Sequence, residues 1–233
     1  MIIFCFLTYN DIIPIQYWNI FFKNIDNNKY QVWIHPKHGI NKNKYLFPIN
    51  IVKNKIATKN KSHISIVQAT LQLLKESSIN ENANHFIFCS QNCIPLYDFN
   101  FYENFLKNAN KSIVSFIDNN RKDRYNNLHQ KMKHFISYKK FVKQQPNMIL
   151  TKNDVKLLTE NDLTYYFENI ECPDEHYFIN ILLYILKIDI IKSQTHFCNF
   201  DNTKTQALEF KNINFNLIQY IKNNGYLFMR KVY

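Results

Sequence analysis

The sequence predicts an α/β fold with a mostly parallel central sheet and helices on both faces. Short apolar runs typical of buried strands alternate with segments whose apolar residues recur at helical spacing, as far as about residue 118. Strands and helices that alternate in this way form a parallel sheet covered on both faces. The 233 residues are 46% hydrophobic and include 20 Phe and 15 Tyr, which is enough for a substantial core. No repeat and no Pro- or Ser-rich linker divides the chain, so we expect one domain over residues 1–233.

The first half of the chain contains four predicted strands and three predicted helices. Ile2 to Thr8 is an apolar run of strand length, and Tyr30 to His35 ends at Pro36, which cannot donate a hydrogen bond to a neighbouring strand. Residues 64 to 74 carry apolar side chains at helical spacing. The predicted order is strand 2–8, helix 15–24, strand 30–35, helix 65–76, strand 85–90, helix 102–108 and strand 112–118.

The second half is less regular. A basic segment extends to about Lys143, and the apolar run from Tyr177 to Leu186 suits a core helix. The remaining predicted elements are a strand at 148–150, a helix from 152, a helix at 214–223 and a final strand at 226–232.

Composition excludes several kinds of site. Two Gly in the whole chain exclude the Gly-rich loops that bind phosphate through backbone amides. Five Cys, an odd number without a Cys-x-x-Cys pair, indicate neither a zinc site nor a disulfide framework. The net charge of +11 favours an anionic partner, which could be nucleic acid, an acidic membrane surface or a phosphorylated small molecule. A solvated basic surface without a specific partner is the alternative.

Three ionisable residues, Asp174, Glu175 and His176, precede the predicted core helix directly. Charged groups are costly to bury unless they are paired or used, so this position indicates a candidate proton-transfer group. The alternative is that the two carboxylates only favour the helix N-terminus through its dipole. Adjacent residues on a helix point in different directions, which argues against a shared metal ion. We expect His176 to be a structural hydrogen-bonding residue.

Several segments, in this order, resemble the core-2/I-branching β-1,6-N-acetylglucosaminyltransferase family, especially its plant-type branch. The strongest is the run from Phe86 to Tyr97, which contains Ser-x-x-Cys-Ile-Pro-Leu-Tyr. The abundance of Asn, Lys and Ile is typical of an A/T-rich genome, such as that of a virus or an A/T-rich microbe. The other matching segments are residues 3–8, Trp18 with 21–22, 32–36, 65–69, Arg124-Tyr125, 174–177 and 228–231.

The resemblance implies a GT-A-like nucleotide-sugar transferase fold and one glycosyltransferase catalytic domain over 1–233. It implies inverting transfer from a UDP-sugar, with UDP-N-acetylglucosamine first and UDP-xylose as another donor, to a hydroxyl of a glycan or glycoprotein. The family works without a metal, and no Asp-x-Asp occurs in this chain. The resemblance makes Glu175 the general base. It also makes Arg230 and Lys231 the cations that meet the charge of the leaving diphosphate, with Lys231 the closer equivalent.

The resemblance also implies a binding role for residues at the strand ends, where ligands of parallel sheets bind. Pro36 departs from the family pattern, which leaves uracil recognition open. Lys204 is the expected second phosphate contact. The implied donor-binding residues are Thr8, His35, Lys37, Lys204, Arg230 and Lys231, and the implied acceptor-binding residues are Ser90, Gln91, Asn92 and Asp174.

Neither a signal peptide nor a stretch of membrane-spanning length is recognisable in the sequence. We therefore expect the protein to work in the cytoplasm, that of the host if the chain is viral, or in the secretory lumen if an anchor was removed. The competing class is a non-catalytic basic binding protein for single-stranded nucleic acid or a glycan. No compact motif of aromatic and basic residues is present, so we expect no nucleic-acid partner.

Overall fold

The computed structural model describes residues 1–60, 63–119, 121–200 and 207–233. In these ranges the strands are β1 (Ile2–Thr8), β2 (Tyr30–Pro36), β3 (Asn50–Ile51), β4 (His85–Ser90), β5 (Ile94–Pro95), β6 (Ile113–Asp118), β7 (Val142–Thr151), β8 (Ile191–Lys192), β9 (His196–Cys198) and β10 (Phe228–Arg230). The α-helices are α1 (Ile15–Phe21), α2 (Ser65–Ser77), α3 (Phe99–Asn108), α4 (Lys122–Asn126), α5 (Gln130–Lys133), α6 (Lys152–Glu160), α7 (Tyr177–Asn180) and α8 (Phe215–Asn223).

Seven strands form the main sheet in the order β3-β2-β1-β4-β7-β6-β8. Among the strands of the described residues, all neighbouring pairs are parallel except the two that involve β7, so β7 runs antiparallel to the other six strands of this sheet. The predicted α/β class with a mostly parallel sheet is confirmed. The strand predicted at residues 148–150 is only the second part of β7, which begins six residues earlier.

Helices cover both faces of this sheet, as predicted. Side chains alternate between faces along a strand, and in β1 the residues Ile3 and Cys5 belong to the core that includes α2 and α6. Phe4 and Phe6 face the opposite core, where they pack against Trp18 of α1 with ring centroids 5.8 and 4.9 Å apart. Both cores are fully buried at β1, which explains its nearly continuous apolar sequence.

A small second sheet, in the order β5-β10-β9, lies next to the end of β4. It brings the strand Phe228–Arg230 beside the segment that follows Ser90. The indole of Trp18 donates a hydrogen bond of 2.9 Å to the carbonyl of Cys93, which ties this segment to the core. Residues from two distant parts of the chain therefore meet at one edge of the main sheet.

The apolar run predicted as a core helix is buried at its start but is not one regular helix. A four-residue α7 continues into a π-helical turn over Ile181–Ile185. Asn180 lies at this junction and is fully buried, with its side chain hydrogen-bonded to both backbone groups of Val142. In the described ranges, we find no helix with the length and apolarity needed to cross a bilayer.

Candidate active site

Asp174 and Glu175 lie on a 3-10 turn over Pro173–Glu175, directly before α7. Cys172 enters the turn with a left-handed backbone, at φ 52°, and its carbonyl accepts a 3.0 Å hydrogen bond from the amide of Glu175. Proline suits the first position of such a turn because its missing N–H would have no partner there. The turn places the two carboxylates at two different cavities.

Glu175 is held by two cations from elsewhere in the chain. Its Oε2 lies 2.7 Å from Nη1 of Arg124 and 3.2 Å from Nζ of Lys143. Arg124 is buried in α4, and Lys143 lies on β7. Among the described residues, Oε1 of Glu175 has no partner. One oxygen of the carboxylate is thus anchored, and the other is available.

His176 supports this arrangement from a fully buried position. Its Nδ1 lies 3.0 Å from the carbonyl of Val142, so Nδ1 carries the hydrogen, and Nε2 can accept from Nη1 of Arg124 at 3.3 Å. The ring stacks on Phe141 at 4.6 Å between centroids. Burial lowers the pKa of His176 from 6.5 to about 4, so the ring is neutral at pH 7. These contacts give His176 a structural role.

Asp174 faces a cavity of about 100 Å³ that is also lined by Ser90, Asn147 and Arg230. The rest of its wall is largely apolar and includes Phe178. Burial, with the nearby charge of Glu175 as the next cause, raises the pKa of Asp174 from 3.8 to about 6. A carboxyl, a hydroxyl and a guanidinium therefore line one cavity.

Glu175 faces a second cavity, of about 270 Å³, whose polar wall includes Lys143, Gln144 and Gln194. Pro146 lines both cavities, so they are neighbours. Asp174 and Glu175 consequently face adjoining cavities: Arg230 lines that of Asp174, and Lys143 lines that of Glu175.

Arg230 ends β10 and Lys231 follows it, and these two basic residues differ in their surroundings. Nη1 of Arg230 donates to Oδ1 of Asn147 at 3.1 Å, and its buried Nε has no hydrogen-bond partner among the described residues. Lys231 does not line the cavity of Asp174; its carbonyl accepts a 2.7 Å hydrogen bond from the amide of Phe210. Arg230 is therefore the one that shares a cavity with Asp174.

The predicted donor residues at the strand ends are only partly accessible. Thr8 is buried, and its hydroxyl donates to the carbonyl of Asn10 at 2.6 Å. His35 is fully buried, its Nε2 accepts a 3.0 Å hydrogen bond from the amide of Ile56, and burial lowers its pKa. Lys37 is exposed, with Nζ 5.2 Å from the centre of a Tyr ring. Lys204 lies outside the described residues.

Ser90, the last residue of β4, and the two residues after it have different partners. Ser90 lines the smaller cavity, whereas the side-chain oxygen of Gln91 accepts a 2.6 Å hydrogen bond from the amide of Tyr9. Asn92 is buried, and its carbonyl accepts from the amide of Val232 at 3.0 Å. The structure therefore brings Ser90, Asp174 and Arg230 together, while Gln91 and Asn92 hold neighbouring backbone.

Sequence reasoning did not assign the partners of the turn. Arg124 occurs in a segment that carries the resemblance, yet nothing in the sequence showed that it pairs with a residue 51 positions later. Lys143 and Asn147 lie on the polar part of β7, which was not predicted as strand. A buried cluster of Cys89, Cys93 and His196 was missed because His196 lies 107 residues from Cys89.

The sequence profile described as "Core-2/I-Branching enzyme" matches residues 2–222, nearly the whole chain. The chain belongs to the core-2/I-branching enzyme family. The resemblance drawn from the sequence segments is thus confirmed at the level of the family.

Among curated proteins, Glycosyltransferase BC10 of Oryza sativa subsp. japonica is 22% identical over 163 residues. The match covers 68% of this chain and 40% of that relative's length. Among solved structures, the galactosyltransferase LgtC with donor and acceptor sugar analogues is similar over 83% of this chain and 75% of its own, at 10% identity and a TM-score of 0.47. The bifunctional glycosyltransferase WbbM is similar over 97% of this chain and 45% of its own, at 10% identity and a TM-score of 0.43.

Proposed function

We propose that this member of the core-2/I-branching family is an inverting, metal-independent glycosyltransferase of the GT-A type. It would move a sugar, N-acetylglucosamine first among the candidates, from a UDP-sugar to a hydroxyl of a glycan or glycoprotein. The observation that carries the proposal is the turn whose two carboxylates face adjoining cavities, one of them shared with Arg230, in a chain matched by the family profile over residues 2–222.

Glu175 would act as the general base through Oε1. The acceptor hydroxyl attacks the anomeric carbon from the face opposite UDP, the new carbon–oxygen bond forms as the bond to the diphosphate breaks, and Oε1 takes the hydroxyl proton. The ion pairs of Oε2 with Arg124 and Lys143 orient the carboxylate for this step. A positioned base is effective because the geometry is set before the reaction begins.

The electron pair of the broken bond leaves with UDP, and the negative charge that grows on the diphosphate needs cations close by. Arg230 and Lys231 are the candidates. Arg230 has the stronger structural support because its guanidinium lines the cavity of Asp174 and its Nε has no partner within the described ranges. Ser90 and Asp174 would then contact hydroxyls of the bound sugars.

The test is the release of UDP from a panel of UDP-sugars, with and without acceptor glycans, in EDTA and with added Mn²⁺. We expect activity that survives EDTA and falls roughly 10²- to 10⁴-fold in Glu175→Gln. Glu171→Gln is the matched control, because Glu171 is a carboxylate of the same ion-pair network, 3.7 Å from Arg124, but is half exposed and lines neither cavity.

Two results would contradict the proposal. Full activity in Glu175→Gln would refute the base assignment, and dependence on Mn²⁺ would refute metal independence. If no UDP-sugar binds and oligonucleotides bind with strong salt dependence, the chain is the basic binding protein considered as the alternative.

A further inference from the structure

Two cysteines and a histidine meet in the core beside the smaller cavity. Cys89 lies on β4, Cys93 comes four residues later, after the tight turn that ends β4, and His196 begins β9. All three are at most 1% exposed, and their two sulfurs and one ring nitrogen all lie within 4.8 Å of one another. The proposed sugar transfer uses none of them.

The distances suit a tetrahedral zinc ion. With Zn–S near 2.3 Å and Zn–N near 2.0 Å, tetrahedral angles put a sulfur about 3.5 Å from a nitrogen ligand. Sγ of Cys89 lies 3.7 Å from Nε2 of His196. Both cysteines are free thiols, so no disulfide occupies the cluster.

Groups around the cluster orient its ligand atoms. The hydroxyl of Thr195 lies 2.9 Å from Nδ1 of His196 and fixes the ring so that Nε2 faces Cys89. Metal-bound histidines commonly have such a partner on the other nitrogen. The side-chain nitrogen of Asn147 donates to Sγ of Cys93 at 3.4 Å, a contact that would stabilise a thiolate. The hydroxyl of Ser90 lies 3.1 Å from the same sulfur and donates to Oδ1 of Asn92 at 3.2 Å.

We propose that Cys89, Cys93 and His196 bind one structural Zn²⁺ through the two sulfurs and Nε2. Sulfur and imidazole ligands favour Zn²⁺ over Mg²⁺ or Mn²⁺, which prefer oxygen. Binding releases the two thiol protons, and the two thiolates neutralise the ion. The three protein atoms fill three of the four tetrahedral positions, and a water would take the fourth. Ser90 connects the cluster to the 100 Å³ cavity, because its hydroxyl contacts Sγ of Cys93 and its side chain lines that cavity.

The ion would join the end of β4 to β9. Because β9 pairs with β10, with Cys198 opposite Arg230, the ion would also fix the distance between Ser90 and Arg230 across the cavity. Its role is structural and separate from the stabilisation of the leaving diphosphate. Zinc content is measured without turnover, so this proposal succeeds or fails independently of the proposed function.

The first measurement is metal content by mass spectrometry of the protein expressed in zinc-supplemented medium and purified without a metal-affinity step. We expect about one zinc per chain in the wild type and less than a tenth of that in Cys93→Ser. Cys5→Ser is the matched control: Cys5 is also a fully buried strand cysteine, but it contacts Ser77 and lies outside the cluster. It should keep its zinc.

A second measurement uses only the wild-type chain, in case Cys93→Ser does not fold. Protein stripped of metal and titrated with Co²⁺ should develop the near-ultraviolet absorption of thiolate-bound cobalt at one equivalent, and Zn²⁺ should displace it. Wild-type protein without zinc and without this absorption would overturn the proposal. Cys93→Ser with full zinc content would overturn it as well.

Discussion

Replacing Asp174 by Asn should stabilise the protein at pH 7, with a gain that disappears in acid. The carboxyl of Asp174 lies in a cavity with an apolar wall, and burial raises its pKa from 3.8 to about 6. At pH 7 the folded protein must therefore keep a charge in an unfavourable place. Asparagine has the shape of the protonated acid and removes that cost.

The magnitude follows from the change in pKa. Each pKa unit corresponds to about 1.4 kcal/mol, so charging Asp174 costs the folded state about 3 kcal/mol above pH 6. The sign is that of a raised pKa: between pH 6 and 3.8 the folded state binds more protons than the unfolded state, so acidification removes the cost. Asp174→Asn should exceed the wild type by about 3 kcal/mol at pH 7 and equal it near pH 4.

His176 changes the free energy of unfolding in the opposite direction to Asp174 between about pH 6.5 and pH 4. Its pKa is lowered from 6.5 to about 4, so its stabilisation is complete above pH 6.5 and is lost as the pH falls towards 4, again by about 3 kcal/mol. In the wild type the two neighbours offset each other. In Asp174→Asn the loss due to His176 is no longer compensated, and the stability of the variant should fall steeply with acid.

Urea denaturation of wild type and variant at several pH values between 4 and 7 measures these differences as free energies of unfolding. Asp189→Asn serves as the control, because Asp189 is 78% exposed and should change stability by less than about 1 kcal/mol. A difference between Asp174→Asn and wild type that stays constant with pH would refute the assignment of the raised pKa to Asp174.

Two further predictions concern the turn and the cavity. Asn180→Ala should lower the free energy of unfolding by about 3 kcal/mol, because it removes buried hydrogen bonds to both backbone groups of Val142 and to the carbonyl of His176. The control in urea denaturation is Asn161→Ala, since Asn161 is exposed and its side chain donates one hydrogen bond, to the carbonyl of Leu157. Equal losses in the two variants would contradict the reasoning. Arg230→Gln should lower kcat/KM for sugar transfer by roughly 10²-fold or more, and Lys231→Gln should lower it by less, because of these two residues Arg230 lines the cavity of Asp174 and Lys231 does not. A larger loss in Lys231→Gln would reverse the roles of the two residues.

Strands buried on both faces could be predicted to the residue. β1 has the predicted bounds because six consecutive apolar residues, Ile2 to Leu7, are typical of a strand buried on both faces, and Thr8 ends the run. β7 could not be predicted in full, since its first part carries Gln144 and Asn147, polar residues that are depleted in buried strands. Both are buried with partners: Gln144 accepts from the amide of Ile179 at 2.7 Å, and Asn147 accepts from Arg230. Such partners come from distant elements and leave no local pattern.

In the candidate site, too, local sequence features could be predicted and partners from distant parts of the chain could not. The turn with Asp174 and Glu175 could be found because three ionisable residues before an apolar run are unusual. Its cations could not, because no local feature shows which of the 29 Lys and Arg pair with Glu175; Arg124 and Lys143 lie 51 and 32 residues before it. The donor contact that the resemblance implies for His35 stays a prediction; the sequence did not show that its ring is buried and accepts a hydrogen bond from the amide of Ile56.

The small sheet β5-β10-β9 has a consequence for how the protein folds. β10 reaches the centre of this sheet only after the chain has closed a long loop; the hydroxyl of Tyr102 in α3 donates to the carbonyl of Leu227, 125 residues later. Contacts of such sequence separation form slowly, because the entropy of the loop is lost before the contact stabilises the chain. In the main sheet, β1 pairs with β2 and β2 with β3 through residues that are much closer in sequence, such as Ile2 with Tyr30 and Trp33 with Asn50. We therefore expect refolding in which these pairs form first and the pocket around Arg230 assembles last.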